Sequence, residues 1–172
     1  MRRLALVLVA VTLASVAPTA AALDLDLNLS AGLDFSGTFD VGAVSEDAQT
    51  GYSLGLELMF DVPFVEVGIG AEYGFDRSSR IDNVDVSYTF VYAVGRINFI
   101  GPAYAVARYG YSDLSAKLAD ASLDGGASWS AGLGLKFFGK LRTEVLLNQF
   151  SGDVSGVDVD YDTWSLRVLY TF

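Results

Sequence analysis

The 172-residue chain has no cysteine, no histidine and only three prolines. Without cysteine, neither a disulfide framework nor a thiolate metal site is open to it. Without histidine, it lacks the side chain most often used as a general base near neutral pH. Positive charge is also scarce. Eleven Lys and Arg stand against 21 Asp and Glu, a net charge of −10, the opposite of the sign that nucleic acid selects. No segment after the N-terminal one reaches eighteen consecutive apolar residues, so no further helical membrane span is expected. Glycine, at 18 residues, is abundant.

The N-terminal segment, MRRLALVLVAVTLASVAPTAAA, has two arginines, an apolar stretch from Leu4 to Ala17, and then small residues. That is the layout of a secretory signal peptide, and the stretch is short for a membrane-spanning helix. Residues 1–22 are therefore expected to be removed, with Ala20-Ala21-Ala22 offering the cleavage site. Residues 23–172 would form one domain, with net charge −12.

From Leu23 onward the chain alternates between large apolar and small or polar residues in eight runs, roughly 23–39, 51–61, 64–75, 85–97, 103–112, 127–138, 141–150 and 161–172. Period two is the signature of a β-strand with two unlike faces. In the last run Trp164, Leu166, Val168, Tyr170 and Phe172 alternate with Thr163, Ser165, Arg167, Leu169 and Thr171. Short connections at 61–63, 98–102 and 139–140 alternate with longer ones at about 40–50, 76–84, 113–126 and 151–160. Eight strands with short and long connections in turn predict an all-β, antiparallel up-and-down barrel.

Which face is outside follows from the polar one. It is built of Gly, Ser and Thr with charges in mid-strand: Glu57, Glu66, Glu72, Arg108, Lys136, Arg142, Glu144 and Arg167. Small groups among paired long ones suit a crowded lumen better than a solvated surface. The apolar face then meets lipid. Phe35, Phe39, Tyr52, Tyr73, Phe75, Tyr88, Tyr109, Tyr111, Trp129 and Trp164 cluster toward strand ends, as an interfacial girdle requires. Run lengths fit as well, since about 9–11 tilted residues span the hydrocarbon. The fourth run fits less cleanly. Val86, Tyr88, Phe90, Tyr92 and Val94 read as lipid-facing, which puts Arg96 on the same side; snorkelling to the interface or a shift at Gly95 would accommodate it. Arg108 is kept inward, because an arginine at the lipid midplane costs about 2–4 kcal/mol.

The last run also carries a resemblance. Trp164, Leu166, Val168, Tyr170 and Phe172 resemble the C-terminal signature of bacterial outer-membrane barrels, an aromatic last residue preceded by alternate hydrophobics. In that family the segment is read by the barrel-assembly machinery, and the resemblance implies this role for these five positions. The layout of residues 23–172 is similar to the small eight-stranded outer-membrane group typified by the OmpA transmembrane domain and OmpX. It implies a Gram-negative-type outer membrane, periplasmic chaperones during biogenesis, contact with lipopolysaccharide, and a monomer. OmpA-type chains usually continue into a peptidoglycan-binding domain. This one ends at Phe172, so that anchoring role is not expected.

For chemistry, opposite inward charges should share levels, because unpaired buried charges are costly. Glu57, Arg108 and Arg167 are expected near mid-depth. Glu66, Lys136, Arg142 and Glu144 fall lower, with Asp24 and Asp26 at the rim, and Asp34 and Glu72 fall higher. Two readings follow: a salt-bridged lumen that is filled and structural, or a narrow ion or small-solute path gated by swapping pairs. An eight-stranded barrel is only wide enough for side chains to fill it. A soluble lipocalin-like carrier is a third reading. Outer-membrane barrel enzymes use a histidine, so no catalytic residue, cofactor or metal site is assigned. Glu46, Asp47, Asp113, Asp120, Asp124, Asp153, Asp158 and Asp160 make the outer connections acidic, without the spacing of an EF-hand.

Overall fold

In a computed structural model the described residues are 25–41, 44–78, 85–116, 124–154 and 157–172. Residues 1–24, on which the expected signal peptide falls, and the side chains of Phe39, Glu46, Asp120, Asp124, Asp153 and Asp158 lie outside them. The described residues form nine strands: β1 Leu25–Val41, β2 Val44–Ala48, β3 Gly51–Val62, β4 Val65–Ser78, β5 Asp85–Asn98, β6 Ala103–Ala116, β7 Asp124–Phe137, β8 Leu141–Val154 and β9 Val157–Thr171. All pairings are antiparallel between neighbours, and β1 also pairs with β9. The ring β1-β3-β4-β5-β6-β7-β8-β9 is thus a closed eight-stranded barrel without a free edge. β2 is a short addition to the far end of β1, from Gly37↔Ala48 to Val41↔Val44.

Three tight turns join β3 to β4, β5 to β6 and β7 to β8, and Leu25 and Phe172 lie at that rim. Gly101 (φ 94°) and Gly139 (φ 72°) supply the left-handed conformations two of these turns need, which only glycine adopts without strain. At the opposite rim the strands run on further than the alternation indicated. The segment SGDVSGVDVD, read above as a loop, is mostly ladder: Ser151↔Asp160, Gly152↔Val159, Asp153↔Asp158 and Val154↔Val157 are partners. Its polar composition hid a period-two pattern in which valine alternates with aspartate. β1 carries a bulge between Phe35 and Thr38, with Ser36 at φ 52°. Such an extra residue reverses the inside–outside alternation beyond it.

Burial inverts the order of a soluble protein. Leu29, Leu54, Ile69, Val91, Leu133, Val145, Leu166 and Val168 are exposed, while Glu57, Glu72, Arg96, Arg108, Glu144 and Arg167 are almost wholly buried. A continuous apolar exterior around a polar interior requires hydrocarbon outside. The exterior side chains of β9 are those expected, Trp164 through Phe172 at every second position.

β5 departs from expectation. Tyr88, Phe90, Tyr92 and Val94 are no more than 4 % exposed and point into the lumen together with Arg96; Val91 and Ile97 face outward instead. Both faces of this strand are apolar, so alternation alone does not orient it. The barrel resolves the choice through β4, whose inner face carries Gly70 and Gly74 opposite Tyr92 and Tyr88. Large rings on β5 fill the space those glycines leave. Arg96 therefore needs no snorkelling and no register shift at Gly95, and Tyr88 is not part of the girdle.

Candidate functional site

The lumen is filled by charge in three layers, with aromatic rings above them. In the middle layer Glu57 of β3, Arg96 of β5, Arg108 of β6 and Glu144 of β8 make a closed alternating ring. Arg108 Nε and Nη2 donate to Glu57 Oε1 at 3.0 and 2.9 Å, and Nη2 also donates to Glu144 Oε2. Arg96 Nε donates to Glu144 Oε1 at 3.0 Å, and its Nη2 to Glu57 Oε2. Each arginine bridges both glutamates, and each glutamate bridges both arginines. Tyr92 and Tyr104 add hydroxyl donors to Glu57 and Glu144 at 3.1 and 3.0 Å. Two unit charges of each sign cancel, which is what lets four ionised groups sit out of water.

Toward the tight turns, Glu66 accepts from Lys136 Nζ at 2.6 Å, from Asn98 Nδ2 at 3.2 Å and from Arg142 Nη1. Arg96 Nη1 lies 3.9 Å from the same carboxylate, linking this layer to the ring. The Lys136 side chain keeps 34 % exposure, at the mouth. Toward the other rim, Arg167 forks onto both oxygens of Glu72, with Nη2 at 2.7 Å from Oε1. The Tyr88 hydroxyl lies 2.6 Å from Glu72 and 3.1 Å from Asp34. Above it Tyr88, Phe150 and Tyr161 stack at 4.4 and 5.9 Å between ring centres, with Phe90 edge-on to Phe150 at 5.4 Å.

All eight charges named from the sequence project into this lumen, but two change layer. Arg167 joins Glu72 above the ring, and Glu144 joins Glu57 and Arg108 within it. Glu144 and Arg167 are direct cross-strand partners. Their long side chains reach away from each other, one across the barrel to β5 and β6, the other toward β4. Strand-by-strand height does not reveal this, because the partner choice is made across the lumen. Sequence reasoning missed Arg96, Tyr88, Tyr92 and Tyr104. The cost of an arginine on the lipid face, which kept Arg108 inward, was the available signal for Arg96, weaker there because Arg96 lies close to a turn.

Three tyrosines are seated on glycines. Tyr92 faces Gly70, Tyr88 faces Gly74 and Tyr104 faces Gly134 as direct register partners, and a Cβ on any of the three glycines would overlap the tyrosine ring. The ring covers the glycine and aims its hydroxyl at a carboxylate. Gly134→Val is expected to push Tyr104 off its seat and remove its bond to Glu144. The expected loss is about 1–3 kcal/mol, as for overpacking generally, measured as a lower urea midpoint in detergent micelles. An unchanged midpoint would mean that Tyr104 is not held this way.

Residues 6–172 match the family described as outer membrane protein beta-barrel domain. No curated protein matches the chain in sequence. Among solved structures, Neisserial surface protein A (NspA) is similar with TM-score 0.60 and 13 % identity, covering 87 % of this chain and 97 % of that one. Ail, the attachment invasion locus protein of Yersinia pestis, gives 0.56 and 13 %, covering 86 % and 98 %. OprG from Pseudomonas aeruginosa gives 0.50 and 10 %, covering 86 % and 95 %. At these identities the likeness is one of fold.

Proposed function

Because this chain belongs to the outer membrane protein beta-barrel family, and is thereby an outer-membrane barrel, we propose that it serves the envelope as a sealed, structural barrel that meets the surroundings through its outer rim. The observation that carries this reading is the closed ring of Glu57, Arg96, Glu144 and Arg108. A gate that works by exchanging ion pairs needs an alternative partner for at least one member. Here both arginines already bridge both glutamates, and the one further carboxylate within reach, Glu66 at 3.9 Å from Arg96, is already held by Lys136 and Arg142, so opening the ring would strand charges in the lumen. Catalysis has no part in this reading.

The test is single-channel recording of the refolded protein in a planar bilayer, with Arg108→Ala and Arg167→Ala alongside. A silent wild-type barrel is expected. Reproducible wild-type openings that change with either substitution would favour a narrow ion or small-solute channel instead.

The rim sets the partner class. Residues 36–50, 76–85, 113–124 and 153–162 together hold thirteen acidic and three basic side chains, so the segments that join strands at this rim carry −10 of the net charge of −12 of residues 23–172. Ail has been solved with the heparin analogue sucrose octasulfate. For this chain the opposite preference is expected, because like charges repel across the rim. The folded protein should flow through a heparin column at physiological salt, and retention there would overturn the assignment. Within the same reading, Trp164, Leu166, Val168, Tyr170 and Phe172 are offered to the assembly machinery, residues 1–22 are cleaved, and the belt contacts lipid and lipopolysaccharide as a monomer.

A further inference from the structure

Of the described buried side-chain polar atoms left without a partner, three fall together, while others such as Arg142 Nε and Arg167 Nε lie apart. Among the described residues, Arg108 Nη1, Ser130 Oγ and Asn148 Oδ1 are buried side-chain atoms without a hydrogen-bond partner. Their residues are 2 %, 1 % and 0 % exposed. Ser130 is the direct cross-strand partner of Arg108 on one side and of Asn148 on the other. All three side chains face the lumen, so they make one row across β6, β7 and β8. The inner face of β7 carries only small residues here, Ser128, Ser130 and Gly132, so no long side chain of that strand reaches the row. Buried polar groups left unpaired are rare, and three in one row call for a missing partner.

We propose that this row holds an ordered water molecule, which ties the central ring to the β8 wall. The leftover chemistry matches water and little else. Arg108 offers a donor, Asn148 an acceptor, and the Ser130 hydroxyl either. A buried water typically makes about three hydrogen bonds, the number available here. An anion is disfavoured because Arg108 and Arg96 together are already balanced by Glu57 and Glu144, and a cation would meet the guanidinium. The acceptor does point at the row. Asn148 Nδ2 donates to the Thr163 carbonyl at 3.2 Å and to Ser165 Oγ at 2.8 Å, and turning the amide over would set its oxygen against that carbonyl. This inference does not depend on whether the barrel conducts.

The test is water–protein NOE and ROE spectroscopy on the labelled full chain, refolded in detergent micelles, for wild type, Ser130→Ala and Ser130→Val. A long-lived water contact is expected at the Ser130 and Asn148 resonances of the wild type. It should persist in Ser130→Ala and vanish in Ser130→Val, whose methyl groups take the space and leave Arg108 and Asn148 unsatisfied. The urea midpoint of Ser130→Val should therefore lie below that of Ser130→Ala. Absence of the contact in the wild type would overturn the proposal. So would a Ser130→Val barrel at least as stable as Ser130→Ala, since a dry cavity gains from being filled. Should Ser130→Val not fold, the wild-type and Ser130→Ala spectra decide the matter alone.

Discussion

Arg108→Ala is expected to lower the unfolding free energy of the barrel by about 3–5 kcal/mol, the range for breaking a buried ion pair from one side. The loss arises less from missing attraction than from what remains. Glu57 and Glu144 are each 1 % exposed, and without Arg108 they share a single guanidinium, Arg96. One excess negative charge is then held in the lumen away from water. The measurement is the urea midpoint in micelles, followed by a double variant. Adding Glu57→Gln to Arg108→Ala restores charge balance, so the pair should lose less than the sum of the two single changes. Strict additivity would mean that the ring is not a unit. Full retention of stability in Arg108→Ala would mean that water reaches the ring freely.

Leu166→Arg is the second large effect. Leu166 is 42 % exposed on the outside of β9, and its cross-strand partners are Leu33 and Val145. Its surroundings are therefore hydrocarbon. An arginine on the lipid face costs about 2–4 kcal/mol at the bilayer midplane and about 0–1 near the interface. Ile100→Arg, in the tight turn between β5 and β6 where Ile100 is fully exposed, should fall in the smaller range. The two variants refolded into the same lipid vesicles, with unfolding followed by tryptophan fluorescence, give the comparison. Equal losses at the two sites would contradict the placement of the hydrocarbon belt, and a milder loss at Leu166 than at Ile100 would invert it.

Both expectations draw on features of unequal legibility. The lipid face of β9 is plain in the sequence because Trp164 to Phe172 alternates large apolar residues with small or polar ones. β3 and β4 read equally well, since glutamates and glycines mark their inner faces. The central ring reads only in part. Glu57, Arg108 and Glu144 announce themselves as charges on an otherwise small inner face, but Arg96 sits in a run whose two faces are both apolar.

Local sequence determined that this chain forms antiparallel strands, how many close the barrel, and which way most side chains turn. The physical reason is that period-two alternation is a property of neighbouring residues, fixed by the pleat of a single strand. The orientation of β5, the seating of Tyr88, Tyr92 and Tyr104 on glycines of adjacent strands, and the choice of Glu144 for Arg96 and Arg108 were decided by the closed barrel alone. Those choices depend on which residues meet across the lumen. That meeting is set by closure and register around eight strands, and each long side chain takes the partner that closure brings within its reach.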